Sequence, residues 1–141
     1  MNMKRIIWLK LCLVMGFIFL WAFADKLLGL GFATAKNNAW INGGSPTSGF
    51  LNNTVRGPFA EFFKGLAGMP VIDWLFMAGL LGVGLTLVFN RFIVWGAAAG
   101  SAMLLLMYLA VFPPANNPLL DEHIVYILVL VLLALRSKEN R

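Results

Sequence analysis

One cysteine, Cys12, and one histidine, His123, are the only thiol and imidazole in this 141-residue sequence. A lone cysteine excludes an intrachain disulfide and a Cys-x-x-Cys redox pair. A lone histidine beside it excludes a bis-imidazole haem and a Cys/His cage for zinc or an iron–sulfur cluster. No covalent or metal cofactor is expected, so any electron transfer has to run through a bound small molecule or a partner protein. Charge is scarce as well: 12% of residues are charged against 60% hydrophobic, too few to solvate a soluble domain of this size. The expected solvent is the lipid bilayer. The formal charge of +5 does not point to nucleic acid, because the basic residues stand mostly at the two ends and beside apolar runs, where they act as topology signals.

What is present is a set of long apolar runs. A helix needs roughly 20 residues to cross a hydrocarbon core of about 30 Å, and Ile6–Ala24, Val71–Phe89 and Phe92–Phe112 meet that need. A fourth uncharged stretch, Ile124–Leu135, is too short alone and must recruit Leu119 to His123 to span. The expected architecture is all-α: one integral membrane domain over residues 1–141, an up-down four-helix bundle. Its spans are expected at 6–26, 71–89, 92–112 and 119–136, with a long external loop over 27–70.

Lys4, Arg5, Lys10, Arg91, Arg136, Lys138 and Arg141 fall on one side of this topology and place both termini in the cytoplasm. A prokaryotic cytoplasmic membrane is the expected location. A competing reading takes Lys4 to Trp21 as a signal peptide ending at Ala22-Phe23-Ala24, which would leave three spans and an external start at Asp25. Small residues at helical spacing, Ala78/Gly82/Thr86 and Gly96/Gly100 beside Ala98 and Ala102, are read as packing ridges within the bundle. The same ridges also serve homo-oligomers.

The external loop is too long for a plain connector. Pro58 suits a first helical turn, and Phe59, Phe62, Phe63 and Leu66 follow at helical spacing, so a short amphipathic helix is expected there, lying in the interface or folded over the bundle mouth. Ahead of it, Trp40 to Leu51 holds glycines, Pro46 and hydroxyls suited to a compact re-entrant turn, anchored by Trp40, Phe50 and Leu51. Neither a lysine beside Ser or Thr nor a strand-to-helix context marks it as a phosphate loop.

The topology gathers polar residues at the external face: Asp25 and Lys26 end the first span, Asp73 begins the second, and Asp121, Glu122 and His123 begin the fourth. Of the six acidic residues, only Glu139 lies on the other side. Asp25 and Lys26 are neighbours pointing about 100° apart on a helix, so each suits a partner on another helix, and a bridge from Lys26 to Asp121 or Asp73 is expected. Tyr126 stands one turn below His123, so a phenol and an imidazole could both meet a ligand entering from the membrane plane, such as a quinone carbonyl. The plainer reading is that these charges cap helix ends among lipid headgroups.

Asp25-Lys26-Leu27, Gly44-Ser45-Pro46-Thr47-Ser48-Gly49-Phe50-Leu51, Gly57-Pro58-Phe59-Ala60 and Asn117-Pro118 leading to Asp121-Glu122-His123-Ile124 together resemble the DoxX-like membrane proteins, and within them the DoxD branch associated with thiosulfate:quinone oxidoreductase. The resemblance covers nearly the whole chain. It implies a four-helix membrane subunit of a quinone-linked oxidoreductase, partnered by a soluble or membrane redox subunit. In that scheme Asp25, Lys26, Asp121, Glu122 and His123 do the chemistry, with Lys26 drawing an anion such as thiosulfate. Trp40, Ser45, Pro46, Thr47, Phe50, Asp73 and Tyr126 line the substrate or quinone site. Rival expectations are a non-catalytic membrane anchor or assembly factor and, with less support from the residues, a small transporter, since no charge lies deep in the second or third span.

Overall fold

A computed structural model describes residues 1–139; Arg141, counted above among the topology signals, lies outside them. The chain is all-helical over the described residues, with four long helices and a group of short ones between the first two. The long helices are α1 (Met3–Leu28), α4 (Pro70–Val88), α5 (Ile93–Val111) and α6 (Glu122–Glu139). Between them lie two short 3-10 helices (Lys36–Asn38 and Trp40–Asn42), α2 (Ser48–Asn53) and α3 (Ala60–Lys64). Three helices, α1, α4 and α5, are long and apolar enough to cross a membrane. Their outward faces carry Phe17, Trp74, Leu75 and Trp95, each more than half exposed, a surface that suits contact with lipid and not with water.

α6 is the exception among the long helices, because Glu122, Arg136, Lys138 and Glu139 all fall within it. It begins at Glu122, three residues later than expected. Asn117 holds the chain ahead of it: its side-chain oxygen accepts the amides of Leu119 (2.8 Å) and Leu120 (2.9 Å), which keeps both residues out of the helix. Asp121 then takes the position before the first turn, accepting the His123 amide at 3.0 Å, the bond by which an aspartate satisfies an otherwise orphaned helical donor.

The long helices pack in chain order, α1 on α4, α4 on α5 and α5 on α6, with a thinner seam between α1 and α6. Trp8 closes that seam by donating its indole N–H to the Leu133 carbonyl (3.2 Å). Neighbours run antiparallel: Gly16 of α1 lies against Val88, and Lys26, near the other end of α1, lies over Phe76. The main core joins all four helices through Cys12, Met77, Leu87, Ile93, Leu130 and Leu133, all almost wholly buried. Cys12 is one of these packing residues, in agreement with a structural role.

Small residues do set the helix crossings, though not all those expected. Gly96 faces Thr86 and Gly100 faces Leu130 and Val83, so a methyl group at either would collide. Ala78, Gly82, Ala98 and Ala102 instead face outward, and Gly82 has open space beside it. α1 and α4 cross closely at Gly16 and Gly84, where an added Cβ would lie 3.1 Å and 3.2 Å, respectively, from the other glycine's carbonyl oxygen. Backbones can approach this closely only where side chains are absent.

Candidate functional site

Several polar side chains at the end of the bundle bearing the short helices have definite partners, and the partners divide the region in two. Asp25, 2% exposed, does not reach another long helix. Its carboxylate accepts the amides of Phe32 (3.2 Å) and Ala33 (2.8 Å), turning the chain back over the end of α1. The Gly29 amide meanwhile caps the Asp25 carbonyl at 2.7 Å. Asp73, in the first turn of α4, accepts the hydroxyls of Ser45 (2.7 Å) and Thr47 (2.6 Å) on one oxygen. That pins the Gly-Ser-Pro-Thr segment onto α4 and lets α2 follow, with Leu51 buried beneath it.

The expected bridge from Lys26 to Asp121 or Asp73 is not formed. Among the described residues Arg136–Glu139 is an ion pair, and Asp121 is hydrogen-bonded to the His123 ring. The physical reason is that Asp25 and Asp73 are already occupied by backbone amides and hydroxyls, while Asp121 is taken by His123. Lys26 lies with its ammonium 5.9 Å from the centre of the Phe76 ring, within cation–π range.

Beside Lys26 is a chamber of about 280 Å³ whose walls come from α1, α2, α3, α4 and α5. Pro46, Thr47, Phe50, Phe63, Phe76 and Met103 are among its lining, and Lys26 is the only charged residue in it. Leu75 and Leu106 also line it and are 65% and 54% exposed, so the chamber reaches the outer surface of the α4–α5 pair, the face suited to lipid. Such a space has the character of a small-molecule site: mostly apolar, with a single polar group to fix orientation.

Asp121, Glu122 and His123 are not part of this chamber. They line a separate, wider groove of about 770 Å³ together with Asn53, Arg56 and Asn117. The imidazole Nδ1 of His123 is 2.8 Å from an Asp121 oxygen, and both side chains are largely covered. Tyr126 packs against the main core and lines neither cavity. Trp40, also packed on the core, meets Trp74 edge-on at 4.7 Å between ring centres and supports the loop from outside the chamber. Of the expected site residues, Lys26, Pro46, Thr47 and Phe50 come together in the chamber, Ser45 and Asp73 brace it, and the acid–acid–imidazole trio lines the groove.

Sequence reasoning missed Arg56. Its amide donates to the Ala110 carbonyl (2.9 Å) and its guanidinium to the carbonyls of Val111 (3.2 Å) and Pro113. One residue thereby satisfies three acceptors around the C-terminus of α5, the end of a helix that favours a cation. Gly57 follows with φ +82°, and a Cβ there would fall 1.8 Å from the Phe112 carbonyl oxygen, so only glycine admits this approach. The Arg-Gly-Pro order at 56–58 was the available signal.

The short amphipathic helix is present but shorter than its pattern suggests. α3 buries Phe63, with Leu66 just beyond it, while Phe59 and Phe62 remain 45% and 66% exposed. No family model, curated protein or solved structure matches this chain.

Proposed function

We propose that the chain is a four-span membrane subunit of a quinone-linked oxidoreductase, with α6 as its fourth span and the chamber beside Lys26 as the quinone site. The observation that carries the reading is an apolar chamber with a single cation, reaching a lipid-facing surface between Leu75 and Leu106. A quinone is an apolar ring with two carbonyl acceptors and a lipid-soluble tail. The Lys26 ammonium is a donor for one carbonyl, the rings of Phe50 and Phe76 flank the head, and the tail leaves past the two leucines into lipid. At about 280 Å³ the chamber holds a ring but not a folded tail. Its apolar walls disfavour a doubly charged anion such as thiosulfate, so in this reading Lys26 serves the quinone and not the sulfur substrate. The resemblance to the DoxD branch supports a thiosulfate:quinone activity, with the sulfur chemistry on a partner protein. A prokaryotic inner membrane and cytoplasmic termini belong to the same proposal.

A direct test is titration of the purified protein with a short-tailed ubiquinone, read by quenching of tryptophan fluorescence. Binding to the unaltered chain that weakens in Lys26→Met and is blocked in Phe63→Trp, which fills the chamber, is the expected result. Equal affinity in all three would sink the assignment.

A second reading, an anchor or assembly factor for a redox partner, is favoured by one observation: the carboxylates of Asp25 and Asp73 are both engaged in holding the loop. A partner retained in mildly solubilised membranes, lost on deleting residues 43–63, with no quinone bound, would support that reading instead.

A further inference from the structure

The chamber ends inward on two side chains. α4 begins at the end bearing the short helices and α5 finishes there, so Phe76 and Met103 are the lining residues of those helices that lie deepest in the bundle. Among the described residues they are also the two that both line the chamber and pack against the main core. They form a floor between an open space and a closed one. Phe76 carries the Lys26 ammonium over its ring. Met103 differs in kind, being an unbranched thioether with three rotatable bonds.

Gly79, one turn deeper than Phe76 on α4, gives this thioether its seat. A Cβ there would collide with Sδ of Met103 and lie 3.1 Å from its Cε. The Met103 side chain therefore reaches from α5 into a notch that exists because residue 79 has no side chain. A methyl group at 79 would drive the thioether out of the notch, and the close-packed core beyond it has no room to receive it. The chamber is the space that remains. Gly82, the next small residue along α4, has open space beside it, so no part of the floor rests there.

We infer that Met103, seated on Gly79, sets the depth of the chamber and so restricts it to a quinone with a one-ring head. The inference rests on the quinone reading above. A ring entering past Leu75 and Leu106 arrives one turn above Met103 on α5 and meets the thioether at its inner edge. A fused second ring lengthens the flat head and needs the volume that the thioether fills. Apolar pockets discriminate on this scale, a single extra or missing methylene being worth about ten- to two-hundredfold. Met103 touches the ligand. Gly79 is a positioning residue that acts through it.

The test uses the full chain in lipid nanodiscs and two probes with the same short tail, a one-ring ubiquinone and a two-ring menaquinone. Affinity is read by tryptophan quenching. The unaltered protein should bind the ubiquinone at least about tenfold more tightly than the menaquinone. Met103→Ala should lower the floor and bring the two affinities within about threefold of each other. Gly79→Ala should weaken ubiquinone binding about tenfold, and in the Met103→Ala background the same change should cost no more than about twofold, because no thioether is left to displace. Gly82→Ala, on the open side of the same helix, should leave both affinities within about twofold.

Equal affinities for the two quinones in the unaltered chain, or a preference that persists in Met103→Ala, overturns the depth limit and leaves the chamber reading standing. A loss from Gly79→Ala that is as large without the thioether as with it, or one that Gly82→Ala reproduces, overturns the seat. If neither quinone binds the unaltered chain, the quinone reading falls and this inference falls with it.

Discussion

The two ends of the bundle are built on opposite principles. Around the Asn90–Arg91 turn, α1 and α4 cross at Gly16 and Gly84 with nothing between their backbones, and Leu87, Ile93 and Leu133 are almost completely buried. At the other end the helices stand apart around a chamber of about 280 Å³, and what keeps the chain in place is a set of polar clamps: Asp25 on two amides, Asp73 on two hydroxyls and Arg56 on three carbonyls. Close packing leaves no room for a ligand. Directional hydrogen bonds can hold walls at a distance, which is what a site needs. The difference teaches that the acids of this protein, read from the sequence as chemistry, serve in large part as carpentry for the open end.

That contrast can be broken by substitution. The largest effect is expected from Gly84→Leu, where even a Cβ would lie 2.5 Å from the Leu20 side chain. A loss of about 3 kcal/mol is expected, the upper end of overpacking costs, read as a fall in melting temperature in detergent. Gly82→Leu, on the outward side of the same helix, should leave it nearly unchanged. Next comes Asp73→Ala, which strips the Ser45 and Thr47 hydroxyls of their acceptor and should cost about 1–3 kcal/mol. Hydrogen exchange should rise between residues 43 and 53 while the Gly16–Gly84 crossing stays protected; uniform loosening would show that the two ends are not independent.

Arg56→Gln should be milder, about 1 kcal/mol, since the residue is exposed and acts at a helix C-terminus, with faster exchange at residues 110–114 as the check. Smallest for stability is Lys26→Met, expected within about 0.5 kcal/mol because the ammonium has no ion partner among the described residues to lose. On the quinone site proposed above, the same change should weaken quinone binding about tenfold, equivalent to about 1.4 kcal/mol. A melting temperature that falls together with the affinity would make Lys26 another clamp and erase the functional difference between the ends.

Much of the helical layout was legible. The second and third apolar runs end within one residue of α4 and α5, and the first lies wholly inside α1. Their length and uninterrupted apolarity leave no other way to satisfy the backbone in lipid. The fourth was less legible because Asn117 holds Leu119 and Leu120 outside α6, and that decision depends on a side chain two and three residues away from the amides it captures. The packing ridges were only half legible. Spacing places Ala78 and Gly82 on one face, but which face meets a neighbour depends on where α1 lies, and α1 lies against Gly84.

The site divides in the same manner. A charged, polar end was evident from Asp25, Lys26, Asp73 and the Asp121–Glu122–His123 run, because topology alone brings those positions to one level. Their pairing was not. Asp73 finds Ser45 and Thr47 more than 25 residues earlier, and Arg56 finds Val111 55 residues later. No local pattern encodes such meetings.

Composition and period therefore settled that the chain is helical and apolar on its outside, with all but one of its acidic residues towards one end, since these follow from properties each segment carries alone. Whether Lys26 and His123 share one pocket or face two was left to the assembled fold. A carboxylate takes whichever donors the packed helices bring within about 3 Å, and here they brought amides and hydroxyls to Asp25 and Asp73 before any lysine.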